Sequence, residues 1–330
     1  MANPPAAGEF ELIARYLSHL GAERNDVLLG VGDDAAVVRA PPGHDLALAH
    51  DTLVDGVHFP HGMPGDQVGH RALAVNLSDL AAMGARPAWA LLSLTLPSGD
   101  AEWVRAFASG LDGLARKVGL AVVGGDTTSG PLTVGLSVVG WLPTGQSLRR
   151  SGARAGDELW VSGWPGEAAA GLACIQSGVA SQSVPLAELV ERFRWPQPRL
   201  ELGAALLGRA SACIDLSDGL AADVGKLCQA SGVAADLDGR SLPVSAALRA
   251  GAADDRQLRR WLLAGGDDYE LAFTLPAGTD PAPLRAAAGC AIHRIGRIVE
   301  GAGVRLDGEP VDPASLRGYD HFLADPGRGA

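Results

Sequence analysis

Carboxylates beside glycines or polar residues recur along this chain: Gly32-Asp33-Asp34, Asp51 followed by Asp55 and His58, Asn76-Leu-Ser-Asp79, Gly124-Gly125-Asp126-Thr127-Thr128, Asp215-Leu-Ser217-Asp218-Gly219 and Gly265-Gly266-Asp267-Asp268-Tyr269. Hard oxygen donors without an accompanying Cys/His set suit Mg2+, and Mg2+ in such numbers usually serves polyphosphate chemistry. Each stretch also has an ordinary reading. Paired acids between two strands make a solvated turn, Ser217 or Asp218 suits a helix N-cap, and the glycines at 124–130 suit a hairpin turn as well as close approach by phosphate. Asp79 on an apolar helix either faces solvent or reaches a buried cation, and a lone His58 is more often a satisfied side chain than a ligand. Six such clusters together weigh towards the metal-phosphate reading.

Rival motifs fall short on context. Gly30-Val-Gly-Asp-Asp-Ala35 fits a dinucleotide fingerprint, but Pro41-Pro42 follows too soon for the crossover helix and two acids would repel a pyrophosphate. The 124–130 stretch has no lysine and is not a Walker A loop, and 215–219 lacks the later acids of an EF-hand.

The elements that must hold these residues follow from periodicity. Spacings of three and four at Phe10, Ile13, Leu17 and Leu20 predict a helix over 9–20, and further helices are expected over 67–83, stopped by Gly84, and over 100–118, with Ser98 or Asp100 as candidate cap. Short apolar runs predict strands at 27–31, 35–38, 46–50, 89–96, 120–123 and 132–141. A second series predicts strands at 158–162, 269–275 and 293–299, a short strand ending at Asp215, and helices over 168–177, 186–193, 199–210, 218–231 and 254–263. Both halves mix the two, giving an α/β or α+β class, with a linker at 142–156 and domains at 1–148 and 149–330.

The 330 residues suffice for about two domains with their own cores. Lys+Arg number 27 against 38 Asp+Glu, a net charge of -11, and only Lys117 and Lys226 are lysines. Nucleic acid is therefore a poor partner, and an acidic chain that handles anionic substrates needs cations as intermediaries. No apolar run approaches the ~18 residues of a membrane span, and 1–10 lacks the make-up of a signal peptide, so no membrane partner and a cytoplasmic location are expected. Cys174, Cys213, Cys228 and Cys290 lack zinc-site spacing and read as reduced, mostly buried thiols.

Taken in order, Gly8-Glu-Phe-Glu-Leu-Ile-Ala-Arg15, Gly32-Asp-Asp34, Asp51-Thr-Leu-Val with His58-Phe59, Ala74-Val-Asn-Leu-Ser-Asp-Leu-Ala-Ala-Met-Gly84, Gly124-Gly-Asp-Thr-Thr128, Arg150-Ser-Gly-Ala, Ile214-Asp-Leu-Ser-Asp-Gly219, Gly265-Gly-Asp-Asp-Tyr-Glu-Leu271 and Gly318-Tyr-Asp-His-Phe322 resemble the bacterial thiamine-monophosphate kinase family over nearly the whole chain. The resemblance implies a two-domain PurM-like fold, that of aminoimidazole ribonucleotide synthetase, with an N-terminal ATP- and Mg2+-binding α/β domain that pairs in a homodimer and a C-terminal α/β domain. It implies the last step of thiamine diphosphate synthesis, in which ATP phosphorylates thiamine monophosphate directly with Mg2+ and leaves ADP, with no discrete catalytic acid or base. By matching position, Asp34, Asp51, Asp79, Asp126, Asp215 and Asp218 correspond to metal ligands. Gly125, Asp126, Arg150 and Ser217 correspond to ATP contacts, and His58, Asp267 and Tyr319 to substrate contacts.

Two positions depart from the family pattern: Ala49-His50 stands where Ser-Thr is common, and Asp267 where Glu is common. Other readings are a selenophosphate or aminoimidazole ribonucleotide synthetase, a non-catalytic nucleotide- or metal-sensing module, and a maturation role on a partner protein. The first would need a reactive Cys or selenocysteine with a Lys near the N-terminus, the second fits the His58 and Tyr319 blocks poorly, and the intact set of aspartates opposes the third.

Overall fold

A computed structural model of the chain describes residues 8–179 and 183–312. The chain divides into two compact units, Met1–Leu80 with Ala85–Gly145, and Ala81–Gly84 with Gln146–Ala330.

In the first unit, α1 (Glu9–Leu12) passes into a π-turn at Ile13–Leu17, where the Ser18 N–H reaches back five residues to the Ile13 carbonyl. The helix expected to reach residue 20 therefore ends early. The chain must turn at Gly21, whose φ of 88° lets it lie against the Leu120 carbonyl, where a Cβ has no room. Strands β1 (Val27–Leu29) and β2 (Val37–Val38) form a small ribbon. They are followed by β3 (His44–Val54), α2 (Gly65–Met83), β4 (Arg86–Leu96), α3 (Ala101–Val118), β5 (Ala121–Ser129) and β6 (Thr133–Pro143).

The four long strands make one sheet in the order β3-β6-β4-β5, antiparallel except for the β4–β5 pair that α3 joins. Asp100 caps α3 by accepting the Glu102 and Trp103 N–H groups, and Gly119 ends it at φ 72°. Helices α2 and α3 cross closely because Gly69 meets the Phe107 carbonyl and Gly110 the Asp66 carbonyl with no side chain between. Val68, Ala72, Leu73, Leu77 and Leu80 of α2 and Phe107, Leu111 and Leu114 of α3 are buried with Leu92, Leu94, Val134, Leu136 and Val138 of the sheet. On β3 the alternation puts Ala47, Ala49, Asp51 and Leu53 on the more buried side and leaves Leu46, Leu48, His50 and Thr52 exposed.

Residues 124–129, expected as a turn, continue β5. They stay in register with β4 after a shift between Ala90 and Leu91, pairing Leu92 with Gly125 and Ser93 with Asp126. Gly125 is required there, because any Cβ would run into the Leu92 carbonyl.

The second unit is built on β7 (Glu158–Ser162), β8 (Ala212–Asp215), β9 (Ala234–Leu237), β10 (Leu271–Leu275), β11 (Ile292–Val299), β12 (Gly303–Leu306) and β13 (Glu309–Pro310), ordered β13-β12-β9-β11-β7-β10-β8. Only β12 and β9 run parallel, so this half is α+β. Its helices are α4 (Glu167–Gln176), α5 (Val184–Arg194), α6 (Leu200–Leu206), α7 (Leu220–Ser231), α8 (Ala246–Gly251), α9 (Asp255–Ala264) and α10 (Ala282–Ala287). Leu159, Ile214, Leu220, Val224, Leu227, Ala272, Ile295 and Ile298 form one core, and Trp160, Leu202, Leu206, Cys213, Phe273, Leu275 and Ile292 another. In a third, Leu189, Leu248 and Leu262 join α5, α8 and α9, with Ala170 and Cys174 from α4. Cys174, Cys213 and Cys228 are buried, Cys290 is partly so, and all four are free thiols.

Candidate functional site

In the first unit Asp51 lies on β3, next to α2. The Asp51 N–H donates to the Asn76 Oδ1 at 2.9 Å, and the Asn76 amide donates to the Ala72 carbonyl at 2.9 Å, which pins α2 to the strand. Asn76 is fully buried, so these bonds satisfy a group that would otherwise be costly to enclose. Asp79 lies one turn further along the same helix face. Burial pushes the Asp51 carboxyl above the usual carboxylate range, and the nearby His50 ring only partly offsets this.

His50 stands on the other side of β3, with its ring nitrogens on Ser137 Oγ at 2.8 Å and Thr52 Oγ1 at 3.2 Å. His58 sits in the turn after β3. Its Nδ1 accepts the Val54 N–H at 2.9 Å, which fixes the tautomer: the neutral ring carries its proton on Nε2 and presents a donor there.

Asp34 and Asp126 are exposed, Asp34 in the turn between β1 and β2 and Asp126 on β5. Asp51 lies opposite Leu136, which lies opposite Leu92, which lies opposite Gly125. The neighbours Asp51 and Asp126 are thus separated by three strand spacings, about 14 Å along the sheet. One copy of the sheet does not bring these two acids to a single ion. Among the described residues no three His, Cys, Asp or Glu side chains form a ready metal cage.

In the second unit β8 carries Asp215 at its end, and the chain then turns through Leu216, Ser217, Asp218 and Gly219 into α7. Gly219 itself is the N-cap, at φ 117°, in place of Ser217 or Asp218. The capping acid comes from inside the helix: the Asp223 Oδ2 accepts the Asp218 N–H at 2.9 Å and the Gly219 N–H at 3.1 Å. Lys226 places its ammonium on Asp218 and on the buried Asp223, 2.7 Å from Asp223 Oδ1. Arg150 is exposed on a loop whose backbone is tied to Ser231, the Oγ of which donates to the Arg150 carbonyl at 3.0 Å and accepts the Gly152 and Ala153 N–H groups at 3.2 Å.

The 265–269 turn lies directly against this loop. The Asp267 N–H donates to the Ser217 carbonyl at 2.9 Å, the Tyr269 N–H to the Leu216 carbonyl at 2.8 Å, and the Tyr269 hydroxyl to Asp267 Oδ1 at 3.0 Å. Asp267 and Tyr269 both adopt left-handed backbone conformations, φ 70° and 52°. Just beyond, Glu270 is buried and receives the Ser162 hydroxyl and the Arg199 guanidinium, the latter through both oxygens.

Asn76, Asp268 and Glu270 stand inside the quoted motifs but were given no site role, and Asp223 and Arg199 lie outside them; Asp223 left a local signal as an acid in the first turn after Ser217-Asp218-Gly219. Tyr319 lies outside the described residues.

Comparisons with known proteins bear on this arrangement as follows. The family described as AIR synthase related protein, N-terminal domain, matches residues 32–142, and its C-terminal counterpart matches residues 154–309. A thiamine-monophosphate kinase of Salmonella typhimurium strain LT2 is 44% identical over 324 residues, covering 96% of this chain and 99% of that one. The crystal structure of thiamine-monophosphate kinase from Stenotrophomonas maltophilia K279a superposes with a TM-score of 0.84 at 44% identity, over 92% of this chain and 96% of that one. A structure described as AaThiL complexed with AMPPCP and TMP gives a TM-score of 0.78 at 30% identity, over 98% and 99%.

Proposed function

The chain belongs to the thiamine-monophosphate kinase family, and from that premise we propose that it transfers the γ-phosphoryl group of ATP to thiamine monophosphate, releasing ADP and thiamine diphosphate. The observation that carries this reading is the full-length likeness to these kinases, one of them solved with AMPPCP and TMP.

The acceptor is a terminal phosphate oxygen of thiamine monophosphate, already largely ionised near neutral pH, so the protein needs no strong base. The absence of a Ser-His or Cys-His pair from the motifs agrees with this. What the site must overcome is repulsion between two polyanions, which makes positioning and charge compensation its main tasks.

Mg2+ suits the donors these residues offer. Asp51 is a carboxylate raised by burial without an adjacent Lys or Arg, and Asp34 and Asp126 are exposed hard donors. Mg2+ would supply positive charge to offset that of the phosphates. In this reading several Mg2+ ions would be held, by Asp34, Asp51, Asp79 and Asp126 in the first unit and by Asp215 and Asp218 in the second. Gly125, Asp126, Arg150 and Ser217 contact ATP, with the Arg150 guanidinium as a cation at the phosphates. His58 donates from Nε2 to the substrate phosphate, Asp267 accepts from the aminopyrimidine, and Tyr319 stacks on a ring.

The first unit's sheet has an uncovered apolar face, with Leu46, Leu48 and Leu91 exposed by 44%, 74% and 47%. A second copy is its proposed occupant, giving a homodimer through this face. Four free thiols, and no described helix long and apolar enough to cross a membrane, support a cytoplasmic location.

The test is incubation with ATP, Mg2+ and thiamine monophosphate. Thiamine diphosphate and ADP are expected in equal amounts. ADP formed only with a different acceptor would overturn the assignment.

A further inference from the structure

The 265–269 turn holds two non-glycine residues, Asp267 and Tyr269, in strained left-handed backbone conformations, which persist only where the surroundings enforce them. Asp268, between them, is what ties the turn to the rest of the unit. Its Oδ2 accepts the Gly166 N–H at 2.6 Å and its Oδ1 the Ala168 N–H at 3.2 Å, so one carboxylate clamps the first turn of α4 from a residue about 100 positions away. Gly166, at φ 90°, has no room for a Cβ against the Trp261 backbone, and Gly266 none against the Ser217 carbonyl. The turn is thus enclosed by α4, by the end of α9 and by the 216–218 loop.

We infer that Asp268 is a positioning residue, which holds the strained turn so that the Asp267 carboxylate faces the organic part of thiamine monophosphate. This rests on the reading of Asp267 as a substrate contact. Both Asp268 oxygens accept backbone N–H groups at the start of α4, and burial pushes this carboxyl well above the usual carboxylate range, so its task is to hold the turn. Released from Gly166 and Ala168, the turn would relax towards ordinary φ values and swing Asp267 away. The nucleotide loop would be less affected, because Asp223 holds the Asp218 and Gly219 N–H groups independently.

Asp268→Asn keeps the size of the side chain but replaces one acceptor oxygen with a donor, which cannot receive an N–H. Its KM for thiamine monophosphate is expected to rise about tenfold, with kcat and the KM for ATP within about twofold, the pattern of lost uniform binding. A merely structural role would lower the thermal midpoint without that split. In a cycle with Asp267→Ala, the double variant should be no more than about twofold worse than Asp267→Ala alone, because a misplaced carboxylate and a missing one are equivalent.

Ala168→Pro deletes one donor at the other end of the clamp, in a first helical turn that tolerates proline, and should raise the same KM about threefold. It carries the test if Asp268→Asn does not fold. An unchanged KM in a folded variant, or fully multiplicative effects in the cycle, would overturn the proposal alone. If the unmodified chain makes no thiamine diphosphate, the substrate reading falls first and the proposal with it.

Discussion

Asp51 in the first unit and Glu270 in the second are both acids drawn into the protein interior, and they are treated in opposite ways. Glu270 is met by the Arg199 guanidinium and the Ser162 hydroxyl, and the nearby Asp223 by the Lys226 ammonium. Asp51 has its carboxyl pushed up by burial, with only the His50 ring to oppose it. A buried acid with its own cation is scaffold: removing the partner leaves an uncompensated charge, but the pair itself recruits nothing. A part-buried acid without one is where an incoming cation does most good. Glu270 is thus fixed by its own ion pair, whereas Asp51 is placed to gain from an added cation.

The largest effect should come from Asp126→Asn. Asp126 is exposed and carries no fold-holding interaction, so the variant is expected to lose more than about 10^3-fold in kcat with an unchanged circular dichroism spectrum. Near-normal turnover would remove Asp126 from the metal set. Arg199→Met tests the opposite side of the contrast. Leaving Glu270 buried and unpaired should cost about 3–5 kcal/mol and lower the thermal midpoint by about 10 °C, and a midpoint within a degree of the parent would show that the pair is not structural.

Asp51→Asn should move stability the other way. Because burial raises the folded-state pKa above the unfolded value, ionising Asp51 destabilises the metal-free protein, and this penalty is relieved as pH falls through the folded-state pKa. The metal-free variant is therefore expected to melt about 2–4 °C above the parent at pH 7, with the gap closing as the pH approaches 4, while turnover is lost. A variant less stable than its parent at pH 7 would contradict the comparison. Lys226→Met leaves the buried Asp223 without its ammonium and should also lower the metal-free midpoint; the smallest effect expected is on Mg2+ binding at the Asp218–Asp223 pair. Thermal shifts titrated with Mg2+ should report about threefold tighter binding, and an unaltered titration would mean that Lys226 does not screen this pair.

Much of this was legible in the residues. Asp100 as one of two candidate caps of α3, a helix over α2 and the alternation of β6 follow from local rules, and the structure agrees with them. Where the reading failed, the deciding contact was distant. Residues 124–129 look like a turn until β4 supplies hydrogen bonds in register and Gly125 is seen to lie on the Leu92 carbonyl. Asn76 left no sign that its partner would be the backbone of Asp51, 25 residues earlier. Asp268 resembles its neighbour Asp267 in sequence, and only the Gly166 and Ala168 amides distinguish their tasks. Short elements such as β9, α8, α10, β12 and β13 carry too few residues for a periodicity to emerge.

The most direct test of the central claim follows the phosphoryl group itself. ATP labelled at the γ-phosphorus is mixed with the protein, Mg2+ and thiamine monophosphate, and the products are separated. The account predicts label in the terminal phosphate of thiamine diphosphate, one per ADP formed, and none when Mg2+ is chelated. Label released only as free phosphate, or transfer that persists without divalent metal, would contradict it.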